Sequence, residues 1–273
     1  MSFAIEPMEQ FMVHKVVDIA PINIGGFMLD MSITNSTVMM LVAATLISIL
    51  LAFSSRGSLV PGRVQAVGEI LFDLIDNTLV TPIIGHNGKP YIPFVFTIFM
   101  LVLFMNLGGV LLSVGSLGGQ EWTFTPTAQL AVTATLALLT FLSVIVIGII
   151  KNGFGIYKLF VPSGMPLAMV IVMVPIELIS FLARPLTLAM RLFGNMLGGH
   201  VVMYIFGSFV VMLGAIGLTG GIATLGFVGS ALSLSMVVVL TGLELVVAGL
   251  QAFVFAALAT VYLNEVVNLG HGH

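Results

Sequence analysis

The chain has 273 residues, of which 59% are hydrophobic, and only 7% carry a formal charge, eight basic and eleven acidic side chains. Soluble domains carry about 25% charged residues, and a water-exposed surface of this size needs more polar groups than this chain supplies. Composition therefore excludes a cytosolic enzyme, a nucleic-acid-binding protein and a disordered chain, and it describes an all-α integral membrane protein forming one membrane domain.

Cysteine is absent, which excludes a disulfide framework, an iron–sulfur site and a thiol nucleophile. The net charge of −3 is small, and no basic run suits phosphate or anionic lipid. Residues 1–32 read as an extramembrane N-terminal segment with some helical character. Glu6, Glu9, Lys15 and Asp18 interrupt it too often for a signal peptide, so the first apolar helix is expected to act as an uncleaved insertion signal. That helix, residues 33–54, has about the ~20 residues that cross a ~30 Å hydrocarbon core upright.

Residues 63–80 are different. Glu69, Asp73 and Asp76 share one helical face, while Val67, Ile70, Leu71, Leu74 and Ile75 share the other. This is an amphipathic helix, placed either in the membrane interface or against the body of the protein itself. The cluster from Gly85 to Pro90 is a turn. Two apolar tracts then fill residues 90–150, separated by turn residues between Gly115 and Thr125, and they read as a transmembrane helical hairpin.

If the spans alternate, Arg56, Arg63, Lys89, Lys151 and Lys158 fall on one side, which is therefore cytoplasmic. The N-terminus is then outside and the C-terminus cytoplasmic.

Residues 163–268 are unusual, because Leu192 to Leu243 contains no formal charge. A glycine-rich turn at 214–221 divides this region into two tracts, each long enough for a helix of about 70 Å at ~1.5 Å per residue. Helices more than twice the bilayer core must tilt steeply or break, and Pro175 and Pro185 permit a bend. Cutting the first tract at Arg184–Arg191 instead would put two arginines outside, against the charge asymmetry. The sequence carries no internal repeat of the transporter kind.

Ionisable groups inside membrane helices are costly, about 2.5–3.5 kcal/mol on insertion scales, and each is a candidate for function. Glu177, Arg184 and Arg191 are spaced seven apart and share a face, with Asn195 one turn further on. Arg184 suits a structural role, snorkelling to the cytoplasmic interface. Glu177 is either structural or a hydrated acid in an aqueous inlet. Arg191 lies too deep to snorkel, and its guanidinium stays charged at any accessible pH. It must meet water or a carboxylate, and a carboxylate arriving from another subunit would serve.

His200, nine residues past Arg191, faces away from that stripe. On the last helix Glu244 and Gln251 share a face, with Tyr262 close to it. If the two long helices pair antiparallel, His200 and Glu244 can meet. Such a pair is either a proton relay, since imidazole titrates near neutral pH, or a static contact. It has too few ligands for a metal. No phosphate loop, nucleophile triad or cofactor motif is present.

The blocks Pro175-Ile176-Glu177-Leu178-Ile179-Ser180, Arg184-Pro185 and Arg191-Leu192-Phe193-Gly194-Asn195-Met196 closely resemble subunit a of the F-type ATP synthase. Leu250-Gln251-Ala252-Phe253-Val254-Phe255 and Val261-Tyr262-Leu263 match its second block. The resemblance implies a subunit of the membrane sector in a bacterial inner membrane. Its expected partners are the c-ring, the peripheral-stalk b subunits and, indirectly, the catalytic F1 sector, where the bond chemistry lies. It also implies that Arg191 is the arginine at the c-ring contact, with Asn195 and Gln251 beside it. Glu177 would lie toward the cytoplasmic half-channel, and His200 and Glu244 in the half-channel opening outside. Relatives often carry the acid and the histidine at these last two positions exchanged, which suits groups that touch; either can take the proton first. On the residues alone, a self-contained proton-coupled transporter or channel is the competing reading.

Overall fold

A computed structural model describes residues 15–18, 22–24, 27–29, 32–55, 62–115, 125–159, 167–218 and 224–269. The segment expected to be partly helical is built differently where it is described. β1 (Lys15–Val17) pairs antiparallel with β4 (Ile33–Thr34), and β2 (Ile22–Ile24) with β3 (Phe27–Leu29). The physical reason is local composition. Val16, Val17, Ile22 and Ile24 are β-branched and favour a pleated backbone, and Gly25-Gly26, between β2 and β3 in sequence, is of the type that tight hairpins prefer.

α1 (Asn35–Ser54) follows. Among the described residues, five helices are long and apolar enough to cross a membrane, and the protein is a multi-pass membrane protein.

The expected amphipathic helix divides in three: α2 (Arg63–Ile75), a π-helical stretch (Asp76–Val80) and α3 (Thr81–Ile84). The wider π winding brings residues five apart into register, and Thr81 Oγ1 donates to Asp76 Oδ1 at 2.7 Å across that spacing. Of the anticipated apolar face only Ile75 is fully buried. The buried line is Gln65, Gly68, Ile75, Leu79 and Val80, whereas Val67, Ile70 and Leu74 are exposed. Gly68 permits this seating, since a Cβ there would run into the Ser54 side chain. The apolar residues left outward suit lipid contact. Gly85 closes α3 with φ +80°, a conformation that glycine adopts without strain.

A 3₁₀ turn (His86–Tyr91) leads into α4 (Ile92–Gly115). A second 3₁₀ turn (Pro126–Ala128) precedes α5 (Leu130–Asn152), and a third spans Gly153–Leu159. The turn expected between α4 and α5 lies largely outside the described residues, as do Arg56 and the glycines at 220 and 221.

α6 (Leu167–Gly217) has 51 residues and α7 (Leu225–Val267) has 43. α6 runs unbroken through Pro175 and Pro185, so the reading that cuts it at Arg184–Arg191 does not hold. A proline removes one backbone hydrogen bond, and membrane helices tolerate this where neighbouring groups satisfy the freed carbonyl.

The chain forms two compact units. The first comprises residues 1–42, 105–129 and 193–250; the second comprises 43–104, 130–192 and 251–273. In the first unit α6 and α7 run antiparallel. Ser230 Oγ donates to the Val210 carbonyl at 2.9 Å, and Thr241 Oγ1 donates to Met203 Sδ at 3.6 Å. Gly226 makes the closest approach, where a Cβ would lie 2.5 Å from the Leu213 carbonyl oxygen. In the second unit Asn152 Nδ2 donates to the Val266 carbonyl at 2.6 Å, tying the end of α5 to α7. Asn268 Nδ2 donates to the Ile84 carbonyl at 3.2 Å.

Candidate functional site: two ionisable clusters on the long helices

The first cluster lies in the first unit. The antiparallel register brings His200 on α6 to Glu244 on α7, with Nε2 3.6 Å from Oε1. Both residues are buried, 8% and 5% exposed. The carboxylate fits because residue 199 is glycine: a Cβ there would lie 2.8 Å from Glu244 Oε1. His200 Nε2 has a further neighbour, the hydroxyl of Thr125, at 2.6 Å. Alongside, Ala128, Met196 and Ala248 pack together, with Leu107 against them. Asn106 Nδ2 donates to the Ala248 carbonyl at 3.3 Å. Neither oxygen of Glu244 has a hydrogen-bond partner among the described residues, nor does Thr127 Oγ1 or Asn106 Oδ1. Buried oxygens of this kind are ordinarily satisfied by water.

The second cluster lies in the second unit. The Arg184 guanidinium donates to Glu265 Oε2 and lies 3.5 Å from Glu177 Oε1. It is stacked on two rings, 5.3 Å from the Phe181 centroid and 5.0 Å from that of Tyr262. Phe181 in turn packs on Phe141 at 4.8 Å. One guanidinium thus gathers two carboxylates and a phenol, a use of its planar fork that a lysine would not reproduce. The two acids are each 34% exposed at the side chain. Arg191 is exposed on the same helix.

The remaining two candidates differ in burial. Asn195 is exposed on α6, and Gln251 on α7 is 4% exposed. The spacing argument missed two residues. Glu265, three past Tyr262, is signalled only by the requirement that a membrane arginine have an anion. Thr125 lies in a polar run without period, and nothing local marks it.

A family model, the ATP synthase A chain, matches residues 36–264. The chain belongs to that family. Family members named ATP synthase subunit a are similar over nearly the full length. The protein from Nitrobacter hamburgensis is 43% identical over 266 residues, covering 97% of this chain and 99% of its own. The protein from Chelativorans sp. is 45% identical over 270 residues, covering 98% and 100%. That from Mesorhizobium japonicum is 44% identical over 269 residues, covering 98% of each. The matched region of the family model takes in His200, Glu244, Glu177, Arg184, Tyr262 and the exposed Arg191, while Glu265 stands one residue beyond its end.

Proposed function

We propose that the chain is the stator subunit that passes protons to and from a rotating ring of carboxylate-bearing subunits in a bacterial inner membrane, through two offset half-channels. The observation that carries the reading is the separation of ionisable groups into two clusters. A buried histidine–carboxylate pair stands in one unit and an open acid–arginine cluster in the other, and the exposed Arg191 belongs to the second unit, seven residues after Arg184 in sequence.

A proton enters from outside, passes His200 and Glu244, and neutralises a ring carboxylate. A neutral carboxylic acid crosses lipid far more cheaply than an ion, so the ring can turn. After nearly a full turn the acid reaches the cytoplasmic half-channel beside Glu177 and Arg184. Arg191 favours its ionised form there, and its fixed charge blocks direct passage between the half-channels. Asn195 and Gln251 flank this contact, and Tyr262 and Arg184 support it. Each charge that crosses is driven by about 2.3 kcal/mol per 100 mV.

Beyond moving protons the chain carries out no bond chemistry of its own; ATP chemistry belongs to F1 subunits held through the c-ring and the peripheral stalk. In this reading α6 and α7 lie steeply tilted, the N-terminus is outside and the C-terminus cytoplasmic. Family membership decides against the self-contained transporter.

Replacing Arg191 with Ala tests the reading. Assembled enzyme in membrane vesicles should lose both ATP-driven proton pumping and ATP synthesis. Coupled pumping that survives the substitution overturns it.

A further inference from the structure

The imidazole of His200 presents one nitrogen, Nε2, to two neighbours: Thr125 Oγ1 at 2.6 Å and Glu244 Oε1 at 3.6 Å. The shorter contact is a full hydrogen bond; the longer exceeds hydrogen-bond length. Thr125 is itself firmly held. Its carbonyl accepts the N–H of Ala128 at 2.9 Å, and Ala128 packs against Met196 and Ala248. Its side chain sits where Gly109 of α4 leaves space, since a Cβ on Gly109 would run into it. Thr125 is 3% exposed. A hydroxyl in a fixed, buried place therefore touches the nitrogen that faces the acid.

We propose that Thr125 is a positioning residue for proton transfer between His200 and Glu244, holding the ring in both of its protonation states. This inference rests on the proton-path reading above. In the charged ring both nitrogens carry hydrogen, and Nε2–H donates to the hydroxyl oxygen of Thr125 while facing the carboxylate. A small side-chain shift, or one bridging water, then carries the proton across. The Nε2–H bond breaks and an O–H bond forms on Glu244. The ring keeps its Nδ1 hydrogen and becomes neutral, and the carboxylate becomes a neutral acid.

Nε2 is now a buried acceptor, and Thr125 turns its O–H to donate to it. A hydroxyl serves both states because it both donates and accepts. A methyl group in its place leaves Nε2 either unpaired or drawn permanently to Glu244, in a static pair that no longer hands protons on. Gly109 and Gly199 serve the same arrangement, making room for Thr125 and for the carboxylate respectively.

The test compares Thr125→Ser, Thr125→Val and Thr125→Ala in the whole enzyme in inverted membrane vesicles. ATP-driven proton pumping is read per unit of membrane-bound ATPase, which reports assembly. Thr125→Ser should pump within about twofold of the parent. Valine keeps the shape and loses the hydroxyl, so Thr125→Val should fall at least about fivefold, as should Thr125→Ala, which reads the same loss if the valine variant assembles poorly. A merely structural threonine predicts the reverse order, with valine tolerated and serine impaired, and that order overturns the proposal. His200→Ala is measured in parallel. If it pumps like the parent, the proton-path reading itself is wrong. If it fails while Thr125→Val pumps normally, the Thr125 assignment alone is wrong.

Discussion

The two ionisable clusters use the same pair of helices in opposite ways. His200 and Glu244 are buried, and both can gain or lose a proton. Arg184, Glu177 and Glu265 are partly open, and the centre of that cluster is a guanidinium that never gives its proton up. In the buried pair, His200 Nε2 is hydrogen-bonded to the Thr125 hydroxyl, and neither carboxylate oxygen of Glu244 has a hydrogen-bond partner among the described residues. The open cluster has ion pairs and two stacked rings around its cation. On the proposed reading the difference separates proton transfer from scaffolding: the buried pair is the one that exchanges protons, and the open cluster is built around a fixed cation.

The largest effect is expected from removing one member of the buried pair. His200→Ala or Glu244→Ala should lower ATP-driven pumping by about a hundredfold or more, the scale of losing a positioned acid or base. The double exchange, His200→Glu with Glu244→His, keeps one of each type in contact and should hurt less than either single loss. Normal pumping by both alanine variants would make the pair structural.

Much of this arrangement is legible in the sequence, and the boundary of legibility has a physical cause. The length of α6 follows from the lack of a turn cluster before Gly214, and the meeting of His200 with Glu244 follows once two helices pair antiparallel. Helical periodicity names the face that a residue occupies on its own helix. It does not supply the register between elements far apart in sequence. Thr125 and His200 are 75 positions apart, and Arg184 and Glu265 are 81 apart. Thr125 stands on a short turn without any period, and Glu265 reads as an ordinary charge near a helix end. The short strands β1–β4 were hidden for a related reason: runs of two or three residues fit helix and strand patterns alike. In α2 the packed line is set by Gly68 meeting Ser54, a contact that amphipathicity does not encode.

A smaller effect is expected from the open cluster. Arg184→Gln removes the cation and leaves Glu177 and Glu265 facing each other without it. Because both acids are partly exposed, water can screen them, and exposed ion pairs contribute only about 0–1 kcal/mol. Pumping should fall by roughly two- to fivefold, the rate change that about 0.4–1 kcal/mol represents. Arg184→Lys should recover only part of it, because the fork and the stacking on Phe181 and Tyr262 are lost. A drop as deep as that of His200→Ala would show that the arginine takes part in transfer itself and would erase the contrast between the clusters.

The smallest effect concerns packing beside the open cluster. Gly148 of α5 faces α7, and a Cβ there would lie 3.0 Å from Val266 Cβ and 3.2 Å from Ile156 Cδ1. Val266 is buried and neighbours Glu265 in sequence, and its carbonyl already accepts Asn152 Nδ2. Its Cβ is rigidly attached to the backbone, so the neighbouring helix must give by a few tenths of an ångström. Gly148→Ala gains helix propensity worth about 1 kcal/mol, and overpacking opposes it by about 1–3 kcal/mol. The net change is a modest loss of stability, read as a fall of a few degrees in the temperature at which the detergent-solubilised complex dissociates. Pumping per assembled complex should stay within about twofold, because a charge-holding cluster tolerates a small displacement that a proton-transfer distance does not. A large pumping defect at unchanged thermal stability would mean that the position of Glu265 is as demanding as that of Glu244.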